Sequence, residues 1–301
     1  MGKNMRRTRS GARAGYLLMF AGLLAGLLAG CSGEAPEEVA APAPAEGPLE
    51  LYVFDCGRIR LPTVSDFGLA DAQTPVRELF VPCYLIRHPA GDLLWDAGLP
   101  PSYAEAEGWV DDGTGVGHRL GAPISAQLDR VGLAPADVEH VAFSHFHYDH
   151  VGDANAFAGA EAIVQRAEWD VAFGEDPSVA FFVPELYAAL EDGPKRLLDG
   201  GHDVFGDGRV RIVPAPGHTP GHQVLLVELA ERGKVLLSGD LWHFYASREL
   251  NAVPNFNSDG ARTLASMESI EALMEAEDVE LWLQHSLAFH EGLEWAPHAY
   301  R

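Results

Sequence analysis

Cysteine is scarce in this 301-residue sequence, which contains only Cys31, Cys56 and Cys83. None of them has a second cysteine at ligand spacing, which excludes a zinc site built on thiolates. Cys56 and Cys83 each lie in a strand-like run, at residues 51–56 and 81–86. If those strands are neighbours, an oxidising compartment would permit a disulfide between them, and two separate buried thiols are the alternative.

Basic residues are outnumbered, with 21 Lys and Arg against 44 Asp and Glu and a formal net charge of −23 at pH 7. Five of the basic residues lie in the first thirty positions, so the remainder of the chain has 16 basic and 44 acidic residues and a charge of −28. Binding to a phosphate backbone requires a basic face. Nucleic acid is therefore excluded as a partner, and RNA-processing nucleases are excluded as relatives.

The apolar run at residues 16–29 is too short for a membrane span. Because it follows a basic segment, it predicts a signal peptide over residues 1–30. The ending Leu28-Ala29-Gly30-Cys31 resembles the bacterial lipobox, in which the cysteine is lipidated and becomes the first residue after cleavage. We therefore expect an exported lipoprotein, anchored to a membrane through Cys31 and facing the periplasm or the cell exterior. An ordinary cleaved signal peptide and an uncleaved anchor are the alternatives.

Residues 31–48 are rich in Ala, Pro and Glu and have almost nothing to bury, which predicts a disordered tether. Residues 49–301 show no internal repeat and no second low-complexity segment. A length of about 250 residues is ample for one α/β domain with a sizeable core. The sequence thus predicts a single α/β domain, held away from a membrane by a short tether.

Three imidazoles and a carboxylate lie within six residues in the segment Ser144-His145-Phe146-His147-Tyr148-Asp149-His150. An apolar, strand-like run at residues 140–144 leads into this segment, and residues 151–157 resemble a helix start. A loop between a strand and a helix N-terminus is a place where side chains converge on a cleft. Imidazole and carboxylate together suit Zn²⁺ and its first-row neighbours, so we interpret the segment as the core of a two-metal site.

Three later strands also end near a possible metal ligand. A predicted strand at residues 210–213 leads into a loop of Gly and Pro that contains His218, with His222 as a competitor. Predicted strands at residues 234–240 and 279–285 end on Asp240 and His285. Asp240 differs from the histidines because a carboxylate can bridge two cations. His290 lies five residues beyond its strand and is a weaker candidate.

Asp96 ends a predicted strand at residues 92–96 and has two interpretations. It is expected either to contact the metal ligands from behind or to accept backbone N–H groups in the turn at Gly98.

The whole ligand series, spread over about 140 residues, resembles the metallo-β-lactamase superfamily. That resemblance extends over residues 49–285 and implies an αββα sandwich with two metals at one edge of the sheets. In the superfamily, the second histidine of Gly-His-Thr-Pro-Gly-His is a packing or hydrogen-bonding residue, which favours His218 over His222 as the ligand. The ligand sets that it implies are His145, His147 and His218 for the first metal, Asp149, His150 and His285 for the second, and Asp240 as the bridge.

His147 occupies a position where the oxygen-reducing di-iron members of the superfamily have Glu, which implies hydrolysis with two Zn²⁺ ions. Within the superfamily the chain is most similar to the N-acyl-homoserine lactonase group, through residues 81–89, 144–153, 216–223 and 238–243. This similarity implies that a metal-bridging hydroxide opens the lactone ring of a small-molecule substrate, with Asp149 passing a proton to the leaving alkoxide. A β-lactam or phosphotriester hydrolase on the same metals is one alternative, and a non-catalytic lipoprotein that binds metal or a ligand is another.

Lactonases of this group place a Tyr three residues after the bridging Asp, where it steadies the oxyanion. Here that position is His243, and Tyr245 follows two residues later, so both are candidate catalytic donors.

The irregular segment at residues 174–199 is either an active-site cover or a helix packed on the body of the domain. Four aromatic side chains are expected either to hold an acyl chain or to form ordinary core: Phe181, Phe182, Trp242 and Phe244.

Overall fold

The computed structural model describes residues 47–111 and 113–301. The predicted signal peptide, Cys31 and the predicted tether up to residue 46 lie outside these ranges. None of the helices in the described ranges combines the length and the apolar character that a bilayer crossing requires.

Two β-sheets form the centre of the domain. The strands of the larger sheet are β1 (Glu50–Arg60), β2 (Glu78–His88), β3 (Gly91–Trp95), β4 (Val110–Asp111), β5 (Gly117–Arg119), β6 (His140–Ala142), β7 (Glu161–Gln165) and β8 (Lys195–Leu198). The strands of the smaller sheet are β9 (His202–Asp203), β10 (Val210–Pro214), β11 (Gln223–Leu229), β12 (Gly233–Leu237) and β13 (Val279–Trp282). Their orders are β4-β5-β1-β2-β3-β6-β7-β8 and β13-β12-β11-β10-β9.

Five α-helices accompany the sheets in the described ranges: α1 (Ile124–Gln127), α2 (Arg166–Ala172), α3 (Tyr245–Leu250), α4 (Gly260–Glu277) and α5 (Leu287–His290). Short 3₁₀ turns connect many of the elements. Among them are Ser65–Phe67, Ala154–Phe157, Pro177–Ala180 and Gly239–Leu241.

The alternation of side chains along β11 shows how the layers are arranged. Leu225 and Val227 point into a core shared by the two sheets. Val224 and Leu226 point the other way, into a cluster that includes Met267 of α4. Because successive side chains of a strand point to opposite faces, the smaller sheet is covered by the larger sheet on one side and by α4 on the other.

The larger sheet is covered in the same way on its outer face. Phe54 of β1 and Val141 of β6 belong to a separate core cluster, which also contains Ile124 of α1 and Trp169 of α2. The layers are therefore helices, sheet, sheet and helix, which confirms the predicted αββα sandwich.

The helix start predicted at residues 151–157 is replaced by turns and by the 3₁₀ turn Ala154–Phe157. Gly152 explains the difference, because its N–H donates to the Gly98 carbonyl at 2.8 Å. A Cβ at position 152 would lie 2.2 Å from the Leu99 carbonyl carbon. The backbone at Gly152 is therefore held against the loop after β3, and this tertiary contact outweighs the helical tendency of residues 151–157.

Cys56 of β1 and Cys83 of β2 form a disulfide, with Cα atoms 5.8 Å apart. The two strands are antiparallel neighbours, which is the condition that the sequence left open. Gly98 packs directly on this bond, since a Cβ there would lie 2.4 Å from the Cys56 Cβ and 3.1 Å from the Cys83 Sγ. The disulfide thus supports the loop that begins at Asp96.

Replacing both cysteines, as Cys56→Ser/Cys83→Ser, should lower the free energy of unfolding by about 3 to 4 kcal/mol, because the bond closes a loop of 27 residues in the unfolded chain. Equilibrium urea unfolding of the oxidised wild type and the double variant measures this difference. The wild type under reducing conditions is the control and should resemble the variant. Equal unfolding midpoints for wild type and variant would show that the bond contributes nothing.

Candidate metal centre

The candidate ligands follow strands that end at one edge of the sandwich. β3 and β6 run parallel in the larger sheet, and β12 and β13 run parallel in the smaller one, so each pair presents its carboxyl ends together. Gln223 joins the sheets at this edge, since its N–H donates to the Ser144 carbonyl and its Nε2 donates to the Phe143 carbonyl, both at 2.9 Å. The loops that follow these strands therefore face one another.

The first cluster consists of His145, His147, His218 and Asp240, whose nearest ligand atoms all lie within 4.8 Å of one another. The His145 Nε2 is 2.8 Å from the His147 Nδ1, and the His218 Nε2 lies 3.1 and 3.0 Å from these two atoms. Tetrahedral zinc with bonds of about 2.0–2.1 Å holds its ligand nitrogens about 3.3 Å apart. The three nitrogens therefore need to move only slightly to surround one cation.

The second cluster consists of Asp149, His150 and His285. The Asp149 Oδ2 lies 3.6 Å from the His150 Nε2 and 3.8 Å from the His285 Nε2. All three residues are buried. These distances also suit one cation.

Asp240 faces both clusters, one with each carboxylate oxygen. Its Oδ2 lies 3.2 Å from the His218 Nε2 and 3.6 Å from the His145 Nε2. Its Oδ1 lies 2.8 Å from the His285 Nε2 and 3.2 Å from the His150 Nε2. This is the arrangement expected of a carboxylate that bridges two cations.

Backbone carbonyls set which nitrogen of a histidine can bind metal. The His147 Nε2 lies 3.0 Å from the Ala180 carbonyl oxygen, and the His285 Nδ1 lies 2.7 Å from the Phe80 carbonyl oxygen. Because a carbonyl only accepts, the N–H must be on that nitrogen. The other nitrogen, His147 Nδ1 or His285 Nε2, then presents its lone pair to the cluster.

Asp96 contacts His150 through the ring nitrogen that faces away from the clusters. Its Oδ2 lies 2.9 Å from the His150 Nδ1 and accepts from the Gln284 Nε2. Its carboxylate also accepts from the Ser144 N–H at 2.6 Å and the Ser144 hydroxyl at 3.0 Å. The interpretation as a partner of a ligand is confirmed, and the interpretation as an acceptor in the Gly98 turn is wrong, because the donors lie on the neighbouring loops.

Two buried atoms of the site, the His150 Nε2 and the Asp240 Oδ1, form no hydrogen bond with the described residues, although the Oδ1 lies close to the imidazole nitrogens of His285 and His150. Leaving buried polar atoms unpaired is costly, so a ligand is expected to satisfy them. Both atoms lie between the clusters, and both can offer an electron pair to a divalent cation. The residues present therefore fit a dinuclear site.

Burial lowers the pKa values of His145 and His147 well below the ordinary histidine value, which keeps both in the neutral form that binds metal. Burial has the same tendency at His150, but the carboxylates of Asp240 and Asp149 outweigh it and raise the pKa of His150 well above that value. Negative charge thus accumulates around His150, where a cation would neutralise it.

His222 and His290 both lie outside the clusters. The His222 Nδ1 donates to the Ala215 carbonyl at 3.0 Å, and its Nε2 accepts from the Asp240 N–H at 2.9 Å. The hydrogen-bonding role expected for His222 is confirmed, and its bond holds the backbone at Asp240. His290 bonds instead to the Tyr84 hydroxyl at 2.7 Å, away from the candidate ligands.

His243 and Tyr245 occupy different environments. The His243 Nε2 lies 2.9 Å from the Asp240 Oδ2, and the side chain lines the cavity above the clusters. Tyr245 begins α3, is 45% exposed and lines a separate cavity behind His243. Of the two candidate donors, only His243 reaches the space in front of the ligands.

The cavity in front of the clusters has a volume of about 500 Å³. At its base are the candidate metal ligands and His243. Most of its wall is apolar, formed by Ile59, Leu61, Phe67, Leu79, Val116, Phe181 and Phe256. Among the described residues, no Lys or Arg lines it, whereas Asp66 does.

Only one of the four aromatic side chains proposed for an acyl site lines this cavity. Trp242, Phe244 and Phe182 are buried in the core. Phe181 is 60% exposed and has a φ of 59°, a left-handed conformation that is uncommon outside Gly, Asn and Asp. The segment at residues 174–199 forms short 3₁₀ turns and then β8 rather than a helix, and through Phe181 it covers one side of the cavity.

Sequence reasoning missed three polar residues that bond to a candidate ligand, to the partner of a ligand or to the loops that carry the ligands. The Asn257 Oδ1 accepts from the His218 Nδ1 at 2.9 Å, and Gln284 bonds to Asp96. Glu168 is buried and accepts two backbone N–H groups, and burial raises the pKa of its carboxyl to about 7. Gln284 interrupts an apolar strand end next to His285, which is a usable signal, but Asn257 and Glu168 lie far along the chain from the residues they hold.

Comparison with known proteins agrees with this geometry. The sequence profile of the metallo-β-lactamase superfamily matches residues 76–280. The chain belongs to this superfamily. An N-acyl homoserine lactonase from a Bacillus species is 30% identical over 257 residues, which cover 82% of this chain and 97% of the relative. The lactonase AttM from Azorhizobium caulinodans is 30% identical over 249 residues, 79% of this chain and 93% of that protein.

Solved structures show the same superfamily fold. An N-acyl homoserine lactone hydrolase with the product N-hexanoyl-L-homoserine at its catalytic metal centre has a TM-score of 0.72 and 27% identity, covering 84% of this chain and all of that one. AidC, a dizinc quorum-quenching lactonase, has a TM-score of 0.62 at 18% identity, over 79% of this chain and 88% of its own.

Replacing Asp240 or His147 by Ala should remove most activity and lower the bound metal from two ions per chain towards one or none. Asp240 faces both clusters and His147 only the first, so Asp240→Ala should lose more metal. Elemental analysis of the dialysed variants measures this, and His290→Ala is the control, since it removes a buried histidine outside the clusters. Full activity with two metal ions in either variant would contradict the ligand assignment.

Proposed function

We propose that this superfamily hydrolase opens the lactone ring of N-acyl homoserine lactones at a dinuclear zinc site. The comparisons support the reaction, because the relatives described above are lactonases over nearly their whole length. The side chains support the metal, because the Asp240 carboxylate lies close to the histidines of both clusters. Three imidazoles and a carboxylate form a donor set that suits zinc better than harder cations.

The cavity wall is the observation that carries the choice of substrate. An N-acyl homoserine lactone is uncharged and has an apolar acyl chain, which matches a wall that is mostly apolar and has no cationic side chain among the described residues. A β-lactam antibiotic carries a carboxylate at neutral pH. Bound cations would attract that charge only at the base of the cavity, whereas the described wall offers it no positive side chain and Asp66 would repel it. The cavity therefore favours a neutral ester over a β-lactam.

The chain's own groups would orient the ester and move its protons. When bound, two cations polarise the ring carbonyl and lower the pKa of water towards neutrality. The carboxylate of Asp149 lines the cavity, where it can take the proton that the attacking water loses and return it to the alkoxide when the ring C–O bond breaks. His243 presents an imidazole at the position where lactonases of this group have Tyr, and we assign it the donor role towards the carbonyl oxygen.

The lipid anchor on Cys31 and export across a membrane are part of this proposal. The disulfide between Cys56 and Cys83 supports an oxidising location, because such bonds persist outside the reducing cytosol. An enzyme placed there would meet lactones that diffuse between cells.

Purified zinc-loaded enzyme should hydrolyse N-hexanoyl homoserine lactone with a kcat/KM at least about 100-fold above those for nitrocefin and for paraoxon, because only the lactone combines a neutral ring ester with an acyl chain. Charge can be tested alone with two lactones whose acyl chains end in a carboxylate or in its methyl ester. The acid should be turned over at least about 10-fold less efficiently. Faster turnover of nitrocefin or paraoxon would replace the lactonase proposal by one of these alternatives.

His243→Phe should lower kcat for the lactone by about 10²- to 10³-fold, because it removes an N–H donor while keeping an aromatic ring against His285. His243→Tyr should recover most of that loss, since it restores a donor. Tyr245→Phe is the matched control and should stay within about twofold of wild type, because Tyr245 lines another cavity. Steady-state kinetics of the three variants decide this, and an undiminished kcat in His243→Phe would remove His243 from the reaction.

Replacing Cys31 by Ser should prevent lipid attachment and release the protein from the membrane fraction of its host cells. Metabolic labelling with a radioactive fatty acid, followed by fractionation, measures both effects. Label that persists in Cys31→Ser would place the lipid elsewhere or disprove the lipobox interpretation.

A further inference from the structure

Glu168 is a buried carboxylate in the first turn of α2 that the proposed reaction does not use. Glu168 is only 1% exposed. Among the described ion pairs, none joins Glu168 to a Lys or Arg, although an unpaired buried carboxylate is costly. The hydrogen bonds of Glu168 indicate what this buried acid does.

Each oxygen of Glu168 accepts a backbone N–H from a different ligand loop. The Oε1 accepts from Phe146 at 3.0 Å, and Phe146 lies between His145 and His147. The Oε2 accepts from Gly221 at 2.7 Å, three residues after His218. One side chain thus joins the two loops that carry all three histidines of the first cluster.

The contact at Gly221 is close enough to require a glycine. A Cβ there would lie 2.5 Å from the Glu168 N and 2.6 Å from the Glu168 Cβ. Loop and helix are therefore packed against each other, so the distance between the two ligand loops depends on where α2 places this carboxylate.

We propose that Glu168 is a positioning residue that sets the spacing of His145, His147 and His218, and that it acts on the first metal site in preference to the second. Asp96 is its counterpart, because it bonds directly to His150 of the second cluster and reaches His145 only through the Ser144 hydroxyl. The inference rests on the two-metal site proposed above. It adds that each site has its own buried carboxylate, supplied by a different element.

A crossed pair of near-isosteric variants tests this assignment. In Glu168→Gln the amide carbonyl can accept only one of the two N–H groups, and the NH₂ group faces the other loop. In Asp96→Asn the second cluster loses part of its support instead. Glu161→Gln is the surface control, since Glu161 at the start of β7 pairs with Arg196.

Chelator competition followed by elemental analysis resolves the two zinc affinities, and Co²⁺ substitution reports the geometry of each site in the visible spectrum. Glu168→Gln should weaken the first site about 10- to 100-fold and leave the second within about threefold. Asp96→Asn should show the reverse preference, and Glu161→Gln should match wild type. Melting temperatures of the metal-free proteins separate a loss of folding from a loss of metal affinity.

Equal weakening of both sites in Glu168→Gln, or no weakening, would overturn the inference while leaving the two-metal site intact. A wild type that binds fewer than two ions would instead overturn the two-metal site and the inference with it. If Glu168→Gln does not fold, Gly221→Ala provides the second test, because it keeps the carboxylate but displaces it from the loop. Selective loss of the first site in that variant would support the same assignment.

Discussion

One buried carboxylate organises this active site. The two oxygens of Asp240 face five imidazoles, at distances of 2.8 to 3.6 Å: those of His145, His150, His218, His243 and His285. Imidazoles gathered this closely disfavour one another's protonation, and burial removes the water that would screen them. The carboxylate offsets part of that cost, and two cations would satisfy the lone pairs that remain. The backbone of Asp240 is itself held by a hydrogen bond from its N–H to the His222 Nε2, so this point of the chain is fixed without a metal ion.

The rest of the fold keeps the ligand loops close to this carboxylate. Two sheets packed face to face end at the same edge, and each ligand loop follows a strand end there. The disulfide between β1 and β2 supports the loop that begins at Asp96, and α2 supplies Glu168 to the two loops of the first cluster. The residues that support the ligand loops therefore come from elements that are distant in sequence. This matters for catalysis because an error of about 1 Å in a metal ligand costs much of the activity.

Prediction from the sequence succeeded where the signal was local. Strand periodicity and side-chain chemistry are enough to find a dense segment of His and Asp after a strand and single candidate ligands at later strand ends. The structure brings these side chains together. It failed where tertiary contacts decide. Asp96 was assigned two roles because its partners lie on other loops, and the helix expected at residues 151–157 is replaced by turns because Gly152 is captured by the neighbouring loop. Glu168 gave no signal, since one acid in a short helix looks like any surface residue.

We propose that Asp240 bridges two metal ions. X-ray diffraction from zinc-grown crystals, recorded on both sides of the zinc absorption edge, tests it most directly. If Asp240 is the bridge, two anomalous peaks about 3.5 to 4 Å apart should appear, one next to each Asp240 oxygen. A single peak at full zinc occupancy, or two peaks with Asp240 bound to only one of them, would contradict it.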